Sequence, residues 1–191
     1  KFQDSSNETI TVWNPQNGEK LTKVTCSSVT ELNKAVESAK GAHKQWSNNT
    51  LKERVDFFYE FRNQLKNNIK SLADSICMEN GKTFEEAKAE VLKGIELTEF
   101  ACSMPQIIHD EIQEVSRGVE CRSSHIPLGI VASITPFNFP IMVPMWTIPN
   151  AIVLGNCMIL KPSEQTPVGS SKIAELLKKS GLPDGVFNVI N

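Results

Sequence analysis

Three short apolar runs close the chain, at 128–134, 157–161 and 186–190, with a stretch of helical length between each pair. This alternation limits the fold more than any other feature. Ile130-Val131-Ala132-Ser133-Ile134 and Cys157-Met158-Ile159-Leu160 have the length and apolar character of strands. The first intervening stretch lies near 141–154 and ends at Gly155. The second, 167–179, has Thr166 as N-cap, Pro167 at the first helical position and Gly181 past its end. The order β-α-β-α-β predicts a parallel sheet with right-handed crossovers, of the kind that binds nucleotides. No G-x-G-x-x-G is present, so the usual dinucleotide fingerprint is missing.

Upstream, runs at 9–13 and 20–25 predict a hairpin, with Asn17-Gly18 supplying the positive φ its turn needs. Three capping-box patterns follow. Ser28 with Glu31 opens a helix whose apolar face is expected to be Val29, Leu32, Val36, Ala39 and Trp46. Thr50 with Glu53 opens one long helix through Val55, Phe58, Leu65, Ile69, Leu72 and Ile76 that Gly81 ends. Thr83 with Glu86 starts a third, running toward Met104-Pro105. Phe57, Phe58 and Phe61 are expected in the core. From 112 to 125 two polar strands flank Arg117-Gly118, with too little apolar area to stand alone. That ribbon must lie against its own domain or another subunit. The fold class is α/β: an N-terminal helical and hairpin scaffold leading into a parallel, Rossmann-like sheet.

Lys plus Arg number 20 against 22 for Asp plus Glu, and no basic stripe stands out. Nucleic acid and anionic membranes are therefore poor candidates for partners. The longest apolar stretch, Ile141 to Leu154, is broken by Pro144, Pro149 and Asn150 and is too short to span a bilayer. No targeting segment is visible, but the chain starts at Lys1 rather than Met, so compartment stays open. Five cysteines without a C-x-x-C pair point to free thiols in a reducing compartment, and His43, His109 and His125 lack metal-ligand spacing.

In open α/β sheets ligands bind in the crevice beyond the carboxyl ends of the strands. Pro136-Phe137-Asn138-Phe139-Pro140 follows one strand there, and Lys161-Pro162-Ser163-Glu164-Gln165-Thr166-Pro167 follows the next. Asn138 sits between two prolines that restrict its loop. Either its amide donates to a developing oxyanion, or it merely caps the turn. Lys161 either meets a phosphate or ribose hydroxyl, or is simply solvated. Glu164 could accept from a ribose diol and would repel a 2′-phosphate, which favours NAD over NADP.

These two segments, with Gly181-Leu182-Pro183-Asp184-Gly185-Val186-Phe187-Asn188-Val189, resemble the aldehyde dehydrogenase superfamily along the entire chain. Three stretches narrow the resemblance: Glu79-Asn80-Gly81-Lys82-Thr83, Glu96-Leu97-Thr98-Glu99-Phe100-Ala101-Cys102-Ser103, and the run from Pro136 to Trp146. They are most similar to the CoA-acylating methylmalonate-semialdehyde dehydrogenase subfamily.

The resemblance implies that Asn138 is the catalytic oxyanion-hole amide. It implies that Lys161 and Glu164 hold the adenosine ribose of NAD, with Thr135, Pro136 and Phe137 lining the cofactor groove. Residues 1–108 and 126–191 would be part of an NAD-binding domain, and 109–125 the ribbon of an arm through which a homo-oligomer, dimer or tetramer, forms. The reaction implied is oxidation of methylmalonate or malonate semialdehyde to propionyl-CoA or acetyl-CoA with loss of CO2, with coenzyme A as co-substrate. A hydrolytic enzyme releasing a free acid, and an inactive scaffold of the same fold, are the alternatives. Such a protein would be mitochondrial in a eukaryote and cytoplasmic in a bacterium.

The family's pyrophosphate loop, nucleophilic cysteine and catalytic domain would lie beyond Asn191. The chain alone is therefore expected neither to turn over aldehyde nor to bind NAD tightly. Relatives carry Arg where this chain has Lys93, and Lys cannot form the bidentate carboxylate fork. That counts against recognition of a carboxylated aldehyde.

Overall fold

The computed structural model describes residues 8–191. Strands β1 (Thr9–Trp13) and β2 (Lys20–Thr25) form an antiparallel hairpin, and Gly18 at its turn has φ +74°. Helices α1 (Val29–Trp46), α2 (Leu51–Asn67), α3 (Ile69–Asn80), α4 (Phe84–Cys102) and the short α5 (Met104–Ile107) follow. Next come the ribbon strands β3 (Glu111–Ser116) and β4 (Val119–Ser123). The chain closes with β5 (Ile130–Ile134), α6 (Met142–Val153), β6 (Cys157–Lys161), α7 (Pro167–Lys179) and β7 (Phe187–Val189). Strands β5, β6 and β7 are parallel in that order, so the predicted β-α-β-α-β unit is present. Its outer strands are shorter than predicted.

All three capping boxes form: Ser28 with Glu31, Thr50 with Glu53 and Thr83 with Glu86. Each satisfies amide groups that the first helical turn leaves unpaired, worth about 1 kcal/mol. The predicted long helix is broken at Asn68. Its Nδ2 donates to the Gln64 carbonyl at 2.7 Å, the acceptor its own N–H would need to continue the helix. That N–H turns to Leu65 O at 3.1 Å instead. The apolar spacing stays in phase across the break, so periodicity alone could not reveal it.

The buried face of α1 also differs from expectation. Glu31, Ala35, Ala39 and Trp46 are buried, whereas Val29 is 73% exposed and Leu32 is exposed too. The helix lies close to the loop before β7 through Ser38 and Ala42. A Cβ on Gly185 would stand 2.7 Å from the Ser38 carbonyl oxygen.

One continuous core links the helical scaffold to the sheet, with Trp46, Phe58, Phe61, Leu72, Ile76, Ile148 and Met158 fully buried. Phe58 and Phe61 meet edge to face, and Trp46 Nε1 donates to Ile152 O at 3.0 Å, so its one polar group is satisfied. Phe57 is only partly buried, edge-on to Trp46. Helix α4 packs against α2, α3 and α6, while α1 lies across the three parallel strands. Every residue of β3 and β4 is exposed. Among the described residues, no helix is long and apolar enough to cross a membrane, and no His, Cys, Asp and Glu cluster could hold a metal.

Candidate functional site

Parallel pairing of β5 with β6 sets Ile134 opposite Lys161, so the two loops leave the sheet side by side. The Thr135 N–H donates to the Lys161 carbonyl at 3.1 Å, carrying the pairing one residue past β5. Thr135 is consequently buried, whereas Pro136, Phe137 and Asn138 are exposed on that edge. Beyond β6, Lys161 Nζ stands 3.0 Å from Glu164 Oε2, and both side chains are partly open to solvent. Glu164's own backbone N–H and the Lys161 ammonium hold its carboxyl below the usual range, keeping it an anionic acceptor.

Lys161 and Glu164 are thus brought into direct contact, and Asn138 lies at the same strand-end edge. The Asn138 carboxamide has no hydrogen-bond partner among the described residues, so its donor is free.

The loop between β5 and α6 is held by scaffold residues that the sequence did not single out individually. Asn80 Nδ2 donates to the Phe137 carbonyl at 2.8 Å. Lys82 Nζ donates to the Asn138 carbonyl at 2.7 Å and lies 3.8 Å from the centre of the Phe139 ring. Lys82 also pairs with Glu90 Oε2 at 2.6 Å, while Glu90 Oε1 accepts the Ile141 and Met142 amides at 2.8 and 3.1 Å. Glu90 is 4% exposed on a helix face shared with Ala87, Val91 and Gly94. A carboxylate on a core-facing stripe is the one sequence signal that could have found it.

A second buried carboxylate holds the other loop. Glu79 accepts the Val168 and Gly169 amides at 2.7 and 2.8 Å, where the first turn of α7 exposes unpaired N–H groups. Burial pushes its carboxyl up to about 7, against the pull of those amides and of Lys172. A Cβ on Gly169 would stand 3.0 Å from Glu79 Oε1, so a small residue there lets the carboxylate approach. Thr166 is the N-cap residue of this helix, as expected. Its side chain makes no capping bond, because Glu79 already occupies the amides; its hydroxyl donates to the Phe137 carbonyl at 3.5 Å instead. At the far end of α6, buried Arg54 donates through Nε to the Val153 carbonyl at 2.7 Å, placing a cation at that helix's C-terminus.

All five cysteines are free. Burial pushes the Cys102 and Cys157 thiols up to about 11 and raises that of Cys77. An attacking thiolate needs the opposite shift. Lys93, on the exposed side of α4, is paired with Glu96 three residues on.

The aldehyde dehydrogenase family model matches residues 2–191. Malonate-semialdehyde dehydrogenase 2 of Bacillus mycoides is 41% identical over the whole chain, which spans 40% of that relative. A protein described as a methylmalonate-semialdehyde dehydrogenase from Sinorhizobium meliloti 1021, solved in complex with NAD, superposes with a TM-score of 0.97 at 38% identity. Methylmalonate-semialdehyde dehydrogenase from Oceanimonas doudoroffii gives the same TM-score and identity. Both comparisons cover all of this chain and 39% of the solved one, so the chain spans about two fifths of the length of its relatives. With the family model spanning nearly all of it, the chain belongs to the aldehyde dehydrogenase family.

Proposed function

We propose that this chain contributes the cofactor-gripping and oxyanion-donating edge of an NAD-dependent aldehyde dehydrogenase that acts on malonate or methylmalonate semialdehyde. The observation that carries the reading is a free carboxamide at Asn138 on the edge that also presents the Lys161–Glu164 pair. An ionised glutamate accepts from both hydroxyls of a ribose diol, and the lysine beside it donates, so the donor set fits an adenosine ribose. Glu164 would repel a 2′-phosphate, which favours NAD over NADP. Thr135, Pro136 and Phe137 would line the cofactor groove. Bound NAD supplies the hydride acceptor.

Asn138 would donate to the oxygen of the aldehyde carbon as negative charge develops there. Loss of one such donor costs about 3 kcal/mol, or roughly a hundredfold in kcat. Asn138→Ala in the intact enzyme should show that loss with KM for NAD unchanged; an undiminished kcat removes the oxyanion role. No shifted cysteine among those described is activated, so the reading assigns the nucleophile to none of them. In this reading the acyl group then passes to coenzyme A with release of CO2. The exposed 109–125 ribbon would pair subunits, and residues 1–108 and 126–191 would belong to the NAD-binding domain.

A second reading is NAD-dependent oxidation of an aldehyde lacking a carboxylate, with water releasing a free acid from the acyl-enzyme; Lys93, whose ammonium is a single charge already engaged by Glu96, favours such an aldehyde. Product identification with and without coenzyme A separates the two.

A further inference from the structure

We propose that Lys82 and Glu90 are positioning residues for the Asn138 amide. The inference rests on the oxyanion role just given and deepens it. The Asn138 carboxamide makes no hydrogen bond to protein among the described residues, so its aim must come from its backbone. That backbone is gripped from the scaffold. Prolines 136 and 140 restrict φ at both ends of the loop. Between them, the Phe137 carbonyl is held by Asn80 and the Asn138 carbonyl by Lys82.

Fixing those two successive carbonyls orients the peptide planes on either side of the Asn138 Cα. Only the side-chain torsions remain free. Lys82 cannot aim the loop alone, because its flexible stem carries a strongly hydrated ammonium. Glu90 supplies the anchor: it is buried, takes Lys82 with one oxygen, and takes the first amides of α6 with the other. The same carboxylate therefore sets the loop's exit into the helix and the direction of the Asn138 carbonyl. The Lys82 ammonium is already committed to Glu90, the Asn138 carbonyl and the Phe139 ring, so it has little left with which to contact substrate.

A displacement of about 1 Å at a reacting group can cost on the order of a hundredfold in rate. In the intact enzyme, Lys82→Met should lower kcat between about tenfold and a hundredfold, with KM for NAD within about twofold. Lys82→Arg should recover part of the loss. In an Asn138→Ala background, Lys82→Met should cost less than about twofold more, because the group it positions is gone. Should Lys82→Met fail to fold, Glu90→Gln, which keeps one carbonyl oxygen for the helix amides, takes its place in the same cycle. If Asn138→Ala lowers kcat but Lys82→Met does not, or if the two losses multiply, positioning is wrong and the oxyanion role stands. If Asn138→Ala itself leaves kcat intact, the oxyanion role fails and positioning falls with it.

Discussion

Replacing Glu79 with Gln should change how stability depends on pH. The Glu79 carboxyl is raised from 4.5 to about 7, chiefly by burial. A raised acid binds its proton more tightly in the folded protein. Its contribution to stability is complete below pH 4.5 and is lost as pH climbs through about 7. A shift of this size corresponds to about 3 kcal/mol at most, and between pH 5 and pH 8 to about 2.5 kcal/mol. Glutamine has nearly the same shape and does not titrate. The stability of the wild type minus that of Glu79→Gln should therefore fall by about 2 to 3 kcal/mol from pH 5 to pH 8. Urea unfolding followed by circular dichroism at both pH values gives this difference, and other titrating groups cancel in it. A flat difference would refute the dominance of burial. A wild type that gains on the variant with rising pH would show that the Val168 and Gly169 amides prevail.

Two further outcomes test other parts of the molecule. Glu164→Gln should raise KM for NAD several-fold and narrow the preference over NADP, because the 2′-phosphate no longer meets a negative charge; steady-state kinetics with both cofactors measure this. Phe61→Ala should destabilise the protein by about 3 to 5 kcal/mol in urea unfolding, since it empties a fully buried ring site packed against Phe58.

What could be read from the residues alone was what short-range physics controls. The capping boxes at Ser28, Thr50 and Thr83 formed because a hydroxyl and a carboxylate three residues apart satisfy the first turn wherever the helix lies. The ends of β5 and β6 were legible because apolar runs stop there, and Asn138, Lys161 and Glu164 follow within a few residues. Tertiary structure decided the rest. Asn68 broke a helix whose spacing showed no break, and packing buried Glu31 and Ala35 of α1 while Val29 stayed in solvent. The partners of the site loops, Glu79, Asn80, Lys82 and Glu90, lie dozens of residues upstream. They meet their partners only once α3 and α4 have packed beside the N-termini of α7 and α6, where unpaired amides await an acceptor. That meeting of buried carboxylate and helix end depends on the folded path of the whole chain, and no local pattern records it.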